Sequence, residues 1–215
     1  MKAFVITLTS VPKSVEVAKR CQESAAAVGL DAYMSSAVTP ANNPRGMMEA
    51  EGLPVERFEG NKFSRLEPCL ATFLSHAALW RRVENMREGM VILEHDAVFT
   101  SRLPDDLADR VPMLCNLGKP SFGQFRVPPK GYGPLYSKVG GYLGGAHAYY
   151  LTPEGAGALL DKAYEAAEPT DIFLNLKNFP WIQEYSPWPV VCDDSFSTIQ
   201  KPEGCVAKHN KVDII

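Results

Sequence analysis

Hydrophobic and polar positions along the first forty residues predict a strand, a helix and a second strand. Residues 3–8 form a short run that is apolar on both faces, which is typical of a strand covered by helices above and below. Ser14 is the predicted N-cap of the helix and Gly29 its end. Residues 32–38 complete a β-α-β unit, whose parallel strands require a right-handed crossover. The helix is predicted from apolar residues at helical spacing: Ala18, Cys21, Ala25 and Val28.

The middle of the chain combines an amphipathic helix with a buried strand. Residues 90–93 form an apolar run that runs directly into Glu94, His95 and Asp96. Ligand sites in open α/β sheets lie beyond the carboxyl ends of the strands, so these polar residues are the first candidate site. The helix before them is predicted to end near Gly89, from apolar residues three and four apart: Leu70, Phe73, Ala77, Trp80 and Val83.

The second half of the chain has fewer regular elements. Residues 146–151 predict a strand, and Thr152 and Pro153 supply the N-cap and first position of the helix that follows. Another short strand is expected around residues 190–192. Gly- and Pro-rich stretches predict a long loop at about 40–64, with at most one helical turn, and a flexible, acceptor-side loop at about 116–143 that includes a strand or two. The pattern indicates one α/β domain over residues 1–215, with a mostly parallel, Rossmann-like sheet flanked by helices.

Composition narrows the class of protein. A chain of 215 residues with 46% hydrophobic residues can bury a core of ordinary size. Its formal charge of −3 gives no field that would hold nucleic acid, so such a partner is not the first expectation. No apolar run approaches the roughly 20 residues of a membrane span, and the N-terminus does not resemble a signal peptide. Five scattered cysteines without a C-x-x-C pair favour reduced thiols in a soluble, cytoplasmic protein.

The acidic pair at the end of the central strand suggests a metal site. Glu94 and Asp96 are two residues apart, so in an extended chain both would point to one side and reach the same ion. His95 would then either touch the ion or a diphosphate group bound beside it, or point to the side of the strand opposite Glu94 and Asp96. Carboxylates suit Mn²⁺ or Mg²⁺, and a cation there would offset charge on a departing diphosphate. An acidic pair after a strand can equally be exposed to solvent or cap the following turn, so a purely structural role stays open.

Three ordered segments resemble glycosyltransferase family 25, the lipooligosaccharide and collagen galactosyltransferase family. They are CLATFLSHAALW at 69–80, VILEHDAVF at 91–99 and GGAHAYYLTPEGAGALL at 144–160. The resemblance spans most of the chain and implies a GT-A type fold, a divalent cation and inverting transfer of a hexose, galactose or glucose, from a UDP-sugar. It also implies a role in lipopolysaccharide biosynthesis or in glycosylation of another hydroxyl acceptor. The chain departs from the family pattern at Thr7, Lys13, His95 and Thr39.

The resemblance and the strand-end argument together give the candidate site residues. Asp171 is the leading general base, in a segment similar to the family's Pro-x-Asp, with Asp193 and Asp194 as rivals. The metal candidates are Glu94, Asp96 and His209. The donor-binding candidates are Thr7, Leu8, Thr9, Ala37, Val38, Thr39, Ser75, His76, Glu94, His95, Gly144, Gly145, Ser197 and Thr198.

Three other functions remain open at the level of sequence. A catalytically silent module that binds a glycan or nucleotide would share the fold without the chemistry. A phage-type glycosyltransferase acting on modified DNA bases would use the aromatic and basic loop at 122–142 to stack on nucleic acid. A nucleotidyltransferase normally carries a Gly-rich, Lys-bearing phosphate loop near its N-terminus, which this chain lacks. The acceptor and the oligomeric state stay open in each case.

Overall fold

A seven-stranded mixed sheet forms the middle layer of the fold. The structure is a computed structural model that describes residues 1–59, 65–120, 126–136 and 141–193. Across these ranges the large sheet has the order β2-β1-β3-β7-β5-β8-β6, and β4 and β9 pair in a separate small sheet, with the bounds given next. The strands are β1 (Lys2–Thr7), β2 (Asp31–Ser36), β3 (Met90–Glu94), β4 (Ala97–Phe99), β5 (Leu114–Asn116), β6 (Gly131–Pro134), β7 (Ala148–Leu151), β8 (Gln183–Ser186) and β9 (Val190–Cys192).

Most strands of the large sheet point the same way. β1 is parallel to both β2 and β3, and β5 is parallel to β8. β7 is antiparallel to its neighbours β3 and β5, and β6 is antiparallel to β8. Five strands therefore share one direction, and only β6 and β7 oppose it within the described sheet. The predicted β-α-β unit and the mostly parallel sheet are confirmed.

Helices cover both faces of this sheet. Phe4, Ile6 and Ile92 point into one hydrophobic cluster, which α4 and α6 share, whereas Val5 and Leu93 point into a second cluster under α1. No helix in the described part of the chain is long and apolar enough to cross a membrane. The helices are α1 (Pro12–Ala27), α2 (Pro44–Ala50), α3 (Glu56–Glu59), α4 (Leu66–Met86), α5 (Leu107–Arg110), α6 (Pro153–Ala166) and α7 (Thr170–Phe173).

The two predicted helix starts have different outcomes. Thr152 caps α6 as expected, because its hydroxyl accepts the Gly155 N–H at 3.1 Å and Pro153 occupies the first position. The prediction that Ser14 caps α1 is wrong, since the helix already begins at Pro12 with Val11 as its N-cap. Ser14 is instead buried in the first turn, where its Oγ accepts the Leu8 N–H at 3.0 Å. This bond attaches the end of β1 to α1.

The predicted long loop at 40–64 is largely helical. Its described part holds a 3₁₀ turn at Pro40–Asn42, then α2 and α3. Proline fixes φ at the first position of the turn and of α2, and Asn43 adopts a left-handed φ of 53° while its side chain accepts the Gly46 N–H. Buried Met48 and Phe58 attach the segment to the core. The second predicted loop contains β6, which confirms a strand within it.

Candidate functional site

A cavity of about 410 Å³ opens at the carboxyl ends of three adjacent parallel strands, β1, β2 and β3. Its size lies in the range of pockets that hold small molecules and cofactors. Three chain segments and one helix build it: residues 8–11 after β1, residues 37–41 after β2, residues 94–96 at the end of β3, and the first turns of α4. The cavity therefore occupies the edge of the sheet where the strand-end argument places a site.

Much of the lining is apolar and rigidly held. Ser75 of α4 fixes the segment after β2, because its Oγ accepts the Val38 N–H at 2.9 Å and donates to the Ala71 carbonyl at 2.7 Å. The Ala37 N–H donates to the Thr7 carbonyl at 2.9 Å. These bonds leave the segment little freedom to move when a ligand enters. The apolar lining residues are Ile6, Leu8, Val11, Ala37, Val38, Pro40, Ala41, Pro68 and Ala71.

The acidic segment at the end of β3 has a different geometry from the predicted one. β3 ends at Glu94, and His95 and Asp96 form a turn before β4. Because the chain is not extended there, side-chain alternation does not apply, and all three residues line the same cavity. The side chains of Glu94 and His95 nonetheless contact different helices, since Glu94 Oε1 lies 3.2 Å from His76 Nε2 of α4 and His95 faces α1. His95 Nδ1 lies 3.2 Å from Ser14 Oγ, which attaches the turn to α1.

Glu94 is a partly buried carboxylate surrounded by imidazoles. Its side chain is 28% exposed, and its Oε1 lies 3.2 Å from His76 Nε2. Burial by itself would raise the pKa of Glu94, but the hydrogen bond from His76 and the electrostatic effects of His76, His147 and His95 lower it overall. Glu94 is thus held in its ionised form at neutral pH, as a cation ligand requires.

Asp96 is more deeply buried than Glu94 and is tied to the small sheet. Its Oδ2 lies 3.1 Å from the Cys192 Sγ, and its carbonyl accepts the Asp193 N–H at 2.9 Å. The pairing of β4 with β9 holds both ends of this contact in place. The position of Asp96 in the cavity therefore depends on a strand almost one hundred residues later in the chain.

Glu94 and Asp96 both line the cavity, and they are the residues there that would hold a divalent cation. Glu94 and Asp96 offer the hard oxygen ligands that Mg²⁺ and Mn²⁺ take. Among the residues with described positions, no group of three or more His, Cys, Asp or Glu could hold a metal. Mg²⁺ commonly uses one or two carboxylates and completes its shell with phosphate oxygens and water. His209, the third predicted ligand, lies outside the described residues.

The three candidate bases differ in their surroundings. Asp171 lies in α7, where its Oδ1 accepts the Ile172 N–H at 3.0 Å. Burial, followed by the nearby charge of Glu94, raises the pKa of Asp171 to about 6. Asp193 instead forms an ion pair with Arg20. Asp194 lies outside the described residues. Asp171 is not among the residues that line the cavity, and its raised pKa is the property that suits it to proton transfer near neutral pH.

Several predicted donor-binding residues lie away from the cavity lining. Thr7 is buried and its hydroxyl donates to the Val5 carbonyl at 2.9 Å. Thr9 is exposed and its hydroxyl lies 3.1 Å from Ser36 Oγ. Gly144 and Gly145 precede β7 and do not contribute to the lining. Ser197 and Thr198 lie outside the described residues.

Sequence reasoning missed some of the lining residues. Arg65, immediately before α4, brings a guanidinium group to the cavity, and Ser10 and Thr72 add hydroxyl groups. The position of Arg65 at the start of a strongly predicted helix was an available signal, since cationic side chains and helix N-termini both favour anions. His147 was also missed, although its charge affects Glu94.

Comparison with known proteins leaves the family open: no protein-family model matches the chain, and no curated protein matches it significantly. The resemblance to glycosyltransferase family 25 therefore rests on the three sequence segments alone. It stays a prediction, as do the donor, the acceptor and the cation.

Proposed function

We propose that this chain is a metal-dependent glycosyltransferase that moves a hexose, galactose or glucose, from a UDP-sugar to a hydroxyl group of a glycan or other acceptor. The observation that carries the proposal is a single cavity in which a rigid apolar lining and two carboxylates, Glu94 and Asp96, meet at the carboxyl edge of the sheet. A nucleoside diphosphate has a base that an apolar lining can cover and a diphosphate group that a cation held by the two carboxylates would bind. The three segments that resemble family 25 support the same assignment.

The chemistry of the cavity lining supports a UDP-sugar as the donor. The apolar residues would cover the base and ribose, and the segment from Ala37 to Thr39 is held by backbone hydrogen bonds before any ligand arrives. Arg65 and the N-terminus of the long helix α4 provide positive potential for phosphate oxygens. Such preorganised groups cost no rearrangement when the diphosphate departs.

Glu94 and Asp96 would hold Mn²⁺ or Mg²⁺ beside the diphosphate. When bound, the cation supplies positive charge that stabilises the leaving UDP. The contribution of the protein is to keep Glu94 ionised through the surrounding imidazoles and to fix Asp96 through Cys192 and β9. Glu94 then accepts the ion without a change in protonation.

Asp171 would act as the general base. Its carboxylate takes the proton of the acceptor hydroxyl while that oxygen bonds to the anomeric carbon and the bond from this carbon to the UDP oxygen breaks. One displacement of this kind inverts the anomeric configuration. A pKa of about 6 leaves most Asp171 ionised at pH 7 and still basic enough to assist. We place the reaction in the cytoplasm, because the described cysteines are buried and form no disulfide bond.

Ligand-dependent thermal unfolding tests the proposal directly. UDP, UDP-galactose and UDP-glucose are titrated with Mn²⁺, with Mg²⁺ and with EDTA, since a ligand that binds the native state raises its Tm. We expect a shift that requires the metal, followed by UDP release when an acceptor sugar is added. Asp96→Asn should lose the shift. The matched control Asp31→Asn should keep it, because Asp31 is exposed at the amino end of β2.

The outcomes separate the alternatives. A folded protein that binds no nucleotide with either metal would contradict the proposal. Binding without hydrolysis or transfer would indicate a catalytically silent nucleotide-binding module. Transfer to modified DNA bases in place of glycans would identify the phage-type activity, and the same assay with a DNA acceptor tests this.

A further inference from the structure

A buried chain of hydrogen bonds leads from the hydrophobic core to Glu94. Trp80 Nε1 donates to Tyr149 Oη at 2.8 Å, Tyr149 Oη lies 2.8 Å from His76 Nδ1, and His76 Nε2 lies 3.2 Å from Glu94 Oε1. The first three residues are fully buried. The chain therefore joins α4, β7 and β3 beneath the floor of the cavity.

The direction of each hydrogen bond follows from the first donor. An indole N–H can only donate, so Tyr149 Oη accepts from Trp80. The hydroxyl proton of Tyr149 then needs its own acceptor, because buried donors are almost always hydrogen-bonded. Within the described structure, its other hydrogen-bonding neighbour is His76 Nδ1. His76 Nδ1 must therefore accept, which leaves the ring proton on Nε2, where it is donated to Glu94.

Packing prevents the imidazole from turning over. The His76 ring stacks on the Tyr149 ring, with centroids 5.8 Å apart and planes 19° apart. Trp80 is held in turn between Phe73 and Phe173, in edge and stacked contacts respectively. Because these rings belong to the densely packed core, the Nε2–H group keeps a fixed position toward Glu94.

We propose that Trp80, Tyr149 and His76 act as positioning residues that hold Glu94 Oε1 by a fixed Nε2–H donor and leave Oε2 for the cation and diphosphate of the donor substrate. The second half of this inference rests on the proposed function, whereas the first half does not. A carboxylate that is anchored at one oxygen cannot rotate away from an ion, which is how hydrogen bonds behind metal ligands raise affinity.

The protonation pattern can be measured without any ligand. Nitrogen NMR of the metal-free protein at neutral pH should show His76 with its proton on Nε2 and an unprotonated Nδ1. Tyr149→Phe removes the donor to Nδ1 and should shift the resonance of that nitrogen the most. Tyr150→Phe is the matched control, since the neighbouring ring lies on the other face of β7 and packs in the second cluster. A proton on His76 Nδ1 would overturn the proposed direction of the chain.

Calorimetric titration of Mn²⁺ with UDP tests the consequence for the site. His76→Phe keeps a ring but loses the donor, and should weaken Mn²⁺–UDP binding about 10–100-fold. His76→Gln restores an N–H group and should recover most of that loss, which a purely structural role does not predict. Tyr150→Phe should bind as the wild type does. Unchanged affinity in a folded His76→Phe protein would overturn the positioning role.

Two further outcomes keep the tests distinct. If His76→Phe does not fold, Tyr149→Phe takes its place in the titration, and wild-type affinity in that variant would contradict the proposal. If the wild type binds no UDP with Mn²⁺, the proposed function fails. The nitrogen NMR result would still support or overturn the fixed Nε2–H donor to Glu94.

Discussion

Two glutamates, one in each half of the sheet, show how differently the fold uses the same side chain. Glu184 of β8 is only 4% exposed, and both of its oxygens accept hydrogen bonds from neutral donors. Oε1 accepts from Asn116 Nδ2 and Trp188 Nε1, each at 2.9 Å, and Oε2 accepts the Tyr136 N–H at 3.1 Å. Glu94 of β3 has an imidazole at one oxygen and lines the cavity.

The difference teaches that burial alone does not mark a functional carboxylate. Glu184 joins β5, β8 and the end of β6, so its hydrogen bonds hold strand ends together. Glu94 is surrounded by groups that keep it charged, yet it keeps an opening to a ligand-sized cavity. We therefore expect the same substitution to reduce mainly activity at Glu94 and mainly stability at Glu184.

The largest effect is expected from Glu94→Gln. The substitution keeps the shape of the side chain but removes a charged cation ligand, so the rate of sugar transfer should fall on the order of 10³-fold, equivalent to several kcal/mol of lost charge stabilisation. The free energy of unfolding should change by less than about 1 kcal/mol. Steady-state kinetics and urea unfolding measure the two quantities. Wild-type kcat/KM in this variant would show that Glu94 does not act in sugar transfer.

Glu184→Gln should show the reverse pattern. An amide NH₂ at Oε2 would face the Tyr136 N–H, leaving a donor without an acceptor, so stability should fall by about 2–3 kcal/mol. Affinity for UDP with Mn²⁺ should stay close to that of the wild type. Urea unfolding and calorimetry on the same preparation check both statements. If the free energy of UDP binding fell by more than the free energy of unfolding, the proposed difference between the two glutamates would be wrong.

Asp171 extends this comparison, because its protonation makes the stability of the protein depend on pH. Its pKa is raised from 3.8 to about 6 in the folded protein, so the native state binds this proton more tightly than the unfolded chain does. Its contribution to stability is therefore complete below about pH 4 and is lost as pH rises through 6, opposite in sign to that of Glu94. Urea unfolding between pH 4 and 7 should show a loss that Asp171→Asn removes. Identical pH slopes would contradict the raised pKa.

The smallest effect is expected from a serine hydroxyl. Ser75→Ala frees the Val38 N–H, so UDP affinity should fall about 3–10-fold and stability by about 1 kcal/mol. Ser24 has a matching arrangement, since its Oγ accepts the Phe99 N–H at 3.0 Å and donates to the Cys21 carbonyl. Ser24→Ala should cost similar stability with unchanged UDP affinity. Equal affinities in the two variants would show that Ser75 is only structural.

Elements with strong local patterns were predictable from the sequence. The apolar run of β1, the helical spacing in α4 and the Thr152–Pro153 start of α6 depend on residues a few positions apart, and each is confirmed. At 44–59 the sequence predicted at most one helical turn where two helices form, because Gly and Pro masked elements that buried Met48 and Phe58 stabilise through the core. Local propensity is a weak prior where tertiary packing decides.

The sequence by itself determined that an acidic segment follows a buried strand at the edge where ligands bind, because strand burial and strand ends are local properties. Only the tertiary structure decided which groups meet there. His76 reaches Glu94 from 18 residues earlier, and Tyr149 reaches His76 from 73 residues later. These contacts depend on the order β1-β3-β7 and on α4 packing over it. Pairing between distant segments follows from how a whole sheet assembles, and no short stretch of sequence encodes it.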